Sequence, residues 1–446
     1  MFYIVETPEQ VKRLLIFKEK DSYVEVIQAS DSYHPKLSSP IALYIRPLDF
    51  SEGFILPIDH PEGLGIPAEI ISKVLSSFGN KYVYDKKAFL YHFSCKGLKD
   101  IQLMNSLGIG ESLSLPNPPK IFNHFYNKHR ESYQVNKFIP LSKLYERAEN
   151  NFYYLLPIIE ESREVESWDC WQFYNDLGTE TFFEAEQHGL RIAYQAFIDL
   201  FSPQIPEFNI RDNVTYTYYN LYNVTSRPTN AFNSVNFAAI PHKEQHRKAI
   251  LPQNDLFVEF DFDGYHLRLL AEQIGYTLTE ESAHKQLARL YFEKEEITDD
   301  EYSAAKQINF QALYGKIPAK YRDLDVFKKI QSFIDDLWSD FETKGYVEAP
   351  ISKRRFTSKL ERMNPQKLMN YVMQNLETSR NILILKDVLD FLKSKKTKIA
   401  LYTYDAILFD FSKEDGKELL ETLENLLGQN NSYPVKFKYS KDYCLE

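Results

Sequence analysis

The first third of the chain alternates short apolar runs with turn residues, a pattern typical of a mixed α/β domain. Val, Ile, Tyr and Leu cluster in segments of strand length, whereas PAEIISKVLSSF repeats its apolar positions with helical spacing. The pattern predicts strands at 23–29, 40–50 and 81–85 and a helix at 67–78. We therefore expect an α/β domain over residues 1–155.

The middle and the last part of the chain are mainly helical in pattern. Residues 156–215 have helical spacing around TETFFEAEQHGLRIAYQAFIDLF, in which Gly189 is a candidate helix end. From residue 216 onward, apolar runs and periodic segments predict strands at 257–262 and 399–411 and helices within 281–315, 322–344 and 364–394. No internal repeat or low-complexity linker is present, so pattern alone sets these boundaries.

Size and composition indicate a globular protein with more than one core. At 446 residues with 43% apolar residues, the chain is long enough for two or three domains. The sequence has neither the run of about 20 apolar residues that a membrane span needs nor a secretory signal pattern at its start. We expect a cytoplasmic protein, in the host cytoplasm if it is viral, with no membrane partner. Cys95, Cys170 and Cys444 have neither disulfide nor metal-ligand spacing.

The net charge of -10 does not indicate a nucleic-acid-binding protein, because such proteins present a basic face. Basic runs occur at 243–249 and 352–356, and an acidic chain can still carry a positive cleft. The sequence contains 31 Tyr and 32 Phe, which could stack on bases or simply fill cores. Composition alone favours solvated basic faces and ordinary aromatic packing.

Acidic residues stand where two apolar strands are predicted to end or break. Asp261 and Asp263 follow the run FVEF, and Asp405 interrupts the run KIALYTYDAILFDF. Carboxylates brought together at strand ends can hold a pair of divalent metals for phosphoryl transfer. A turn aspartate at 405 is an equally good interpretation, since a buried unpaired carboxylate is costly.

A third segment, EYSAAKQINFQALYGKIP, is predicted to be helical. Spacing of about 3.6 residues per turn places Lys306, Phe310, Leu313 and Tyr314 along one stripe. Such a stripe could offer a cation to a triphosphate and flat surfaces to a base pair. Spacing alone favours a core-facing stripe whose lysine extends to solvent.

Taken in order, the three segments resemble the signature motifs of family A DNA polymerases, the class of bacterial DNA polymerase I. DFDGYHLRLLA is similar to motif A, AAKQINFQALYG to motif B on the O helix of the fingers, and LYTYDAILFDF to motif C. The resemblance implies a right-hand polymerase with palm and fingers at 216–446, the fingers at about 272–345. It implies that Asp261 and Asp405 bind two Mg²⁺ ions, with Mn²⁺ as a substitute, and that Lys306 is catalytic.

Shorter stretches between the motifs also resemble this family, at 225–241, 282–292, 345–356 and 369–375. The resemblance covers about residues 183–446. It implies that the nucleotide is bound by His266, His284, Phe310 and Tyr314. It implies that primer-template DNA is bound by Arg227, Asn370, Gln374 and Tyr404. The expected partners are therefore primer-template DNA and deoxynucleoside triphosphates.

Several positions depart from the family pattern. Tyr302 replaces a basic residue that the family places four positions before the motif B lysine, so one triphosphate contact is missing. His266 replaces Glu at the position that excludes a ribose hydroxyl, and Gln366 replaces Arg. Motif C has Tyr404 and Ala406 where the family usually has His and Glu. These changes affect the rate, fidelity and sugar discrimination that the resemblance implies.

The N-terminal segment, 1–155, resembles the proofreading exonuclease domain more weakly. Its strand pattern follows that domain, but Leu90 stands where the second acidic motif would place Asp, and Glu149 is a candidate for the last acid. A two-metal nuclease needs three or four carboxylates. We therefore predict a degenerate exonuclease-like domain without proofreading.

The predicted thumb is much reduced. Residues 156–215 are interpreted as thumb and connecting helices, and about 35 residues separate the stretches that bracket the thumb in the family. Because the thumb holds duplex product, we expect low processivity or a partner protein that supplies the grip.

The sequence thus predicts an α/β multidomain polymerase that extends a primer with deoxynucleoside triphosphates. Two alternatives stay open. A catalytically degenerate polymerase fold that binds DNA as a replication factor is motivated by Tyr302, Ala406 and the short thumb. An RNA- or primer-synthesising polymerase is motivated by His266.

Overall fold

The computed structural model describes residues 3–201, 209–230, 237, 240, 245–314, 316–360, 362–429 and 432–445. Gly315 of the motif B segment and much of the stretch predicted to resemble the family at 225–241 lie outside the described residues.

The strands, in chain order, are β1 (Tyr3–Ile4), β2 (Ser22–Gln28), β3 (Pro40–Pro47), β4 (Phe54–Pro57), β5 (Lys81–Val83), β6 (Leu98–Asp100), β7 (Leu190–Ile192), β8 (Ile210–Arg211), β9 (Val214–Thr215), β10 (Tyr219–Asn220), β11 (Thr229–Asn230), β12 (Ile250–Leu251), β13 (Leu256–Phe262), β14 (Tyr346–Glu348), β15 (Arg355–Thr357), β16 (Lys398–Tyr402), β17 (Ala406–Phe411) and β18 (Val435–Ser440).

The α-helices are α1 (Pro8–Arg13), α2 (Ala68–Ser77), α3 (Lys86–Leu90), α4 (Ile101–Ile109), α5 (Ile121–His129), α6 (Leu141–Ser162), α7 (Asp169–Gln172), α8 (Thr179–Ala185), α9 (Tyr194–Phe201), α10 (Tyr265–Gln273), α11 (Ala283–Phe292), α12 (Asp299–Leu313), α13 (Asp325–Lys344), α14 (Pro365–Leu392) and α15 (Glu418–Gly428). None of the helices in the described residues is long and apolar enough to cross a membrane.

The chain divides into two compact units. Among the described residues, the first comprises 3–183 and 209–212, and the second comprises 184–201, 213–230 and the described part of 235–445. The assignment of exonuclease-like, thumb, palm and fingers roles to parts of these units stays a prediction.

The first unit is built on a six-stranded mixed sheet of order β1-β4-β3-β2-β5-β6. Alternate residues of its strands face opposite sides. Leu43 and Ile45 pack into a core with helices α1 and α2, whereas Ala42 packs into a second core with α5 and α6. The strands predicted at 23–29, 40–50 and 81–85 and the helix at 67–78 are confirmed, within a few residues at their ends.

The second unit contains a four-stranded antiparallel sheet of order β16-β17-β13-β18. Along one face of β13, Phe257 is buried, Glu259 is half-buried and Asp261 is exposed, so this face becomes accessible to solvent at the end of the strand. The long helix α14 contacts α10, α13 and α15. The predicted strand at 399–411 is a hairpin, because Thr403 to Asp405 form a turn between β16 and β17.

The helical segment predicted at 281–315 is two helices rather than one. Helix α11 ends at Glu293, which has a left-handed φ of 53°. Thr298 and Glu301 then form a capping box that begins α12. The side chain of Thr298 accepts a hydrogen bond from the amide of Glu301, satisfying an amide that the helix itself cannot pair.

Candidate active site

Two aspartates meet at one end of the four-stranded sheet, one near the end of a strand and one in a turn. Asp261, near the end of β13, pairs in register with Ala406, the first residue of β17. Asp405 precedes Ala406, and its carbonyl accepts a 3.0 Å hydrogen bond from the amide of Phe262. Both aspartates are exposed. The structure therefore brings the two predicted metal ligands together, and Asp405 is also a turn residue.

The electrostatics of this acidic pair favour a bound cation. Partial desolvation by the surrounding protein, and then the charge of Asp405, raise the pKa of Asp261 to about 6. Partial desolvation, and then the charge of Glu377, raise the pKa of Asp405. Carboxylates whose ionisation is disfavoured by burial and by neighbouring acids gain from a nearby divalent ion.

The donor set fits Mg²⁺ or Mn²⁺. Carboxylate oxygens are hard ligands, and Mg²⁺ is commonly held by one or two carboxylates together with substrate phosphates and water. No cluster of three or more His, Cys, Asp or Glu side chains suited to a metal occurs among the described residues. Asp261 and Asp405 would thus leave coordination positions for a substrate.

Asp263, the second acid after β13, has a structural environment. It is buried, its Oδ1 accepts a 3.0 Å hydrogen bond from the amide of Ala283, and Arg268 lies 3.7 Å away. Lys436 completes the set with a close ion pair. Although burial opposes ionisation, Lys436, the Ala283 amide and Arg268 hold the pKa of Asp263 below its ordinary value. Asp263 therefore fixes the start of α11.

Sequence analysis missed a buried glutamate, Glu377, in the middle of α14. Its side chain is 1% exposed, and its Oε2 lies 2.9 Å from Nε of Arg227. Its Oε1 lies 3.1 Å from Nε2 of His266. Although burial opposes ionisation, His266 and Arg227 hold the pKa of Glu377 below its ordinary value. One carboxylate thus positions two of the predicted site residues.

The turn that carries Asp405 is fixed through Tyr404. This residue has a left-handed φ of 72°, which is uncommon outside glycine. Its carbonyl accepts a 2.8 Å hydrogen bond from Nδ2 of Asn381 on α14. The guanidinium carbon of Arg227 lies 3.8 Å from the centroid of the Tyr404 ring, within cation–π range. Neighbouring side chains therefore hold this unusual backbone conformation in place.

A buried polar cluster supports the turn that precedes Arg227. Arg354 is fully buried, and its Nε donates a 2.8 Å hydrogen bond to the carbonyl of Val224. Nδ2 of Asn375 donates a 2.8 Å hydrogen bond to the carbonyl of Thr225. Arg354 belongs to the basic run at 352–356, so this arginine serves the fold rather than a solvated face.

The stripe on α12 faces solvent. Phe310 and Tyr314 are 59% and 42% exposed, and their ring centroids lie 4.7 Å apart. Lys306 is exposed and forms no ion pair with the described residues. The opposite side of the helix supplies the buried residues, Ala305, Asn309 and Ala312. The core-facing interpretation was therefore wrong, because small residues three and four apart on the other side make the packing contact.

His284 on α11 is held as a neutral donor. Its Nδ1 lies 3.0 Å from Nδ2 of Asn309 and accepts that amide hydrogen, which leaves the ring proton on Nε2. Burial, and then the charge of Lys306, lower the pKa of His284 to about 4. A phosphate oxygen beside Nε2 and the Lys306 ammonium would receive a hydrogen bond from one and charge neutralisation from the other.

Asn370 and Gln374 form a polar pair on α14. Nε2 of Gln374 donates a 3.1 Å hydrogen bond to Oδ1 of Asn370, and both residues are half-buried. Their spacing of four residues places them on one side of the helix, and Glu377 follows three residues later on that side. The helix thus presents its amides and its buried carboxylate along one stripe.

Comparisons with known proteins give one sequence match and many structural ones. No family model matches the chain. A DNA polymerase I of Synechocystis sp. is 24% identical over an alignment of 233 residues that covers 42% of this chain. The match covers 24% of the length of that protein. Among solved structures, the POL domain of Pol1 from M. smegmatis, in complex with DNA primer-template and dNTP, matches with a TM-score of 0.66 and 14% identity, covering 98% of each chain.

These comparisons confirm the predicted resemblance to family A DNA polymerases and the predicted fold class. The structural match covers residues of both units, so the α/β fold resembles that of the POL domain. The roles of the individual site residues stay predictions.

Proposed function

We propose that this family A DNA polymerase-like chain is a DNA polymerase that extends a primer on template DNA with deoxynucleoside triphosphates. The observation that carries the proposal is the acidic pair. Asp261 near the end of β13 and Asp405 in the turn before β17 lie at the same end of the sheet, and neither forms an ion pair with the described residues. The solvent-facing stripe of α12 lies in the same unit.

Asp261 and Asp405 are the residues that would hold two divalent metal ions. When bound there, Mg²⁺ or Mn²⁺ would lower the pKa of the primer hydroxyl and offset negative charge on the triphosphate and the pyrophosphate. The raised pKa of Asp261 supports this assignment, since a cation would restore its ionised form.

The polar groups of α11 and α12 bind the nucleotide in this proposal. Lys306 neutralises the charge that develops on the phosphates and donates a proton to the leaving group. The Nε2–H of His284 donates to a phosphate oxygen. Phe310 and Tyr314 offer exposed rings to the sugar and base, as base stacking requires.

His266 excludes a ribose hydroxyl in this proposal, and Glu377 holds its ring in place. Nε2 of His266 lies 3.1 Å from Oε1 of Glu377, and this contact would favour one position of the imidazole. Discrimination against ribonucleotides is therefore a steric effect of a positioned ring.

Primer-template DNA would be bound by the side chains around Glu377. Arg227 and Tyr404 stack on each other, and Asn370 and Gln374 are hydrogen-bonded on the same stripe of α14. Arg and amide side chains can donate hydrogen bonds to acceptors on base edges and phosphates.

The first unit would be a structural domain without proofreading activity. Glu149 lies 3.1 Å from Nη1 of Arg46 and also accepts a hydrogen bond from the hydroxyl of Tyr44. Asp31 lies 2.8 Å from Nη1 of Arg147. Acids paired with arginine are poor metal ligands, so in this proposal neither Glu149 nor Asp31 serves a two-metal nuclease.

A partner protein would supply the grip of a full thumb. Between residues 190 and 225, the helix of the described residues is the short α9. The proposal includes low processivity for the isolated chain and a cytoplasmic location. Long extension in a single binding event by the purified chain would contradict the need for a partner.

The test is primer extension by the wild type, by Asp405→Asn and by Asp387→Asn. Asp387 is exposed on α14 and forms no ion pair with the described residues, so its variant is a matched loss of one carboxylate. We expect Asp405→Asn to abolish extension and to retain DNA binding, and Asp387→Asn to behave as wild type. Extension by Asp405→Asn at the wild-type rate would overturn the assignment.

A further inference from the structure

The edge strand β18 places an unassigned lysine beside the acidic pair. β18 is antiparallel to β13, and the register sets Lys436 directly opposite Asp261. Residues directly opposite each other in an antiparallel pair project from the same face of the sheet, with Cβ atoms about 5 Å apart. Lys436 therefore lies on the same face as Asp261, at the end of the sheet where the two aspartates meet.

The ammonium group of Lys436 is free to change partners. In this structure it pairs with Asp263, yet its side chain is 66% exposed. Asp263 also has the Ala283 amide at 3.0 Å and Arg268 at 3.7 Å, so it keeps partners when Lys436 leaves. A lysine head on a flexible four-carbon stem can swing from a carboxylate to a nearby anion.

Lys436 also faces the helices that carry the proposed nucleotide site. Its partner Asp263 accepts a hydrogen bond from the amide of Ala283, the first residue of α11, and His284 is the next residue of that helix. Nδ1 of His284 in turn lies 3.0 Å from Nδ2 of Asn309 on α12, the helix that carries Lys306. Two lysines and one imidazole N–H thus converge from three separate elements.

This convergence suits a polyanion. A nucleoside triphosphate carries about four negative charges near neutral pH, and Asp261 and Asp405 add to the local negative charge. Tyr302, one helical turn before Lys306, contributes no cation; its ring lies 6.0 Å from that of His284. A second ammonium beside Lys306 offsets charge that one lysine leaves uncompensated.

We propose that Lys436 binds the triphosphate tail of the incoming nucleotide, exchanging Asp263 for phosphate oxygens when the nucleotide enters. The inference rests on the proposed function, since it names a further substrate-binding residue of that site. Lys436 provides a cation from the sheet, in addition to Lys306 on α12 and the neutral N–H donor of His284 on α11.

The test compares Lys436→Met with Lys438→Met. Lys438 lies two residues along the same strand, opposite Glu259, and is exposed like Lys436. Its variant therefore removes the same charge at a position farther from the end of β13 that carries Asp261. Two readouts are used: KM for deoxynucleoside triphosphate in primer extension, and binding of inorganic tripolyphosphate to the DNA-free protein by calorimetry. Thermal denaturation of Lys436→Met, and the same assays on Lys436→Gln, show whether any loss comes from misfolding of the Met variant.

We expect Lys436→Met to raise the KM, and the Kd for tripolyphosphate, about tenfold, the size of one lost charge-assisted hydrogen bond. Lys436→Arg should recover most of the loss, and so should Tyr302→Arg added to Lys436→Met, because it restores a cation beside Lys306. Lys438→Met should change neither constant by more than about twofold.

The outcomes separate this inference from the proposed function. If folded Lys436→Met extends primers with wild-type KM and binds tripolyphosphate normally, the inference fails while the polymerase assignment stands. If the wild type extends no primer but tripolyphosphate binding depends on Lys436, the anion site stands and the polymerase assignment fails. Equal losses in Lys436→Met and Lys438→Met would also overturn the inference, because the effect would then be a general one of charge.

Discussion

Asp261→Asn should make the metal-free protein more stable. Raising the pKa of Asp261 from an ordinary value near 4 to about 6 corresponds to a loss of about 3 kcal/mol in the free energy of unfolding at pH 7.5, before screening by solvent is counted. The side chain is open to solvent, and screening reduces this to about 1–2 kcal/mol. Asp261 forms no hydrogen bond or ion pair with the described residues through its carboxylate, so the amide loses nothing that would offset the gain.

The pH dependence follows from the direction of the shift. Because the pKa of Asp261 is higher in the folded than in the unfolded protein, ionisation costs stability. The cost is absent below the unfolded pKa near 4, grows as the pH rises through about 6, and is complete above it. The advantage of Asp261→Asn should therefore be largest at pH 7.5 and vanish near pH 4.

The assay is urea denaturation in EDTA at several pH values, repeated at pH 7.5 with Mg²⁺. Mg²⁺ should stabilise the wild type, because it binds the folded state, and should stabilise Asp261→Asn much less. Asp387→Asn should stay within about 0.5 kcal/mol of wild type in both conditions. An Asp261→Asn variant that is less stable than wild type in EDTA at pH 7.5, or that responds equally to Mg²⁺, would refute the reasoning.

Other regions give three further predictions. The free energy of unfolding of Glu377→Gln should be about 2–4 kcal/mol lower than that of the wild type, since the change leaves Arg227 without its buried counter-charge. Because the pKa of Glu377 is lowered in the folded state, this difference should hold above about pH 4.5 and shrink below it. Urea denaturation that shows no loss of stability at pH 7 would contradict this prediction. His266→Ala should raise ribonucleotide incorporation relative to deoxynucleotide incorporation by roughly tenfold in single-nucleotide extension, the effect of about 1.4 kcal/mol; an unchanged ratio would show that His266 is not the gate. The wild type should remove no mismatched 3′ nucleotide in Mg²⁺ or Mn²⁺, and release of nucleotides that disappears in Glu149→Gln would show that the first unit is a nuclease.

The strands and the acidic pair could be predicted because their signals are local. The run that ends at Asp261 is apolar and of strand length, and β13 occupies it. The run around Asp405 predicted a strand, and the acid in its middle allowed either a turn or a site. The hairpin makes it a turn residue, next to the end of β13 that carries Asp261. Local pattern therefore fixed the positions of both acids without fixing how they meet.

The cluster around Glu377 could not be predicted, because its partners are distant in sequence. Arg227 precedes Glu377 by 150 residues and binds it through the tertiary fold. A signal was available nonetheless: polar residues recur three or four positions apart along one side of an apolar helix, at Asn370, Gln374, Glu377 and Asn381. A polar stripe on a helix that is otherwise buried indicates a polar site or a partner.

The side of α12 that faces solvent was predicted wrongly for a physical reason. Phe310 and Tyr314 are large and apolar, so hydrophobicity favours burying them, yet the packing contact is made by Ala305 and Ala312. Small residues allow close approach of helices α11 and α12, and the aromatic rings are left exposed. Lys436 was missed because its position opposite Asp261 depends on the register of β18, which sequence pattern does not give.

The most direct measurement is extension of a labelled primer-template in Mg²⁺, with deoxynucleotides and ribonucleotides in parallel reactions and Asp261→Asn as the control. The account predicts deoxynucleotide extension by the wild type, little ribonucleotide extension, and no extension by the variant. Folded wild-type protein that binds the primer-template and adds no nucleotide would contradict the account and favour a DNA-binding role without catalysis.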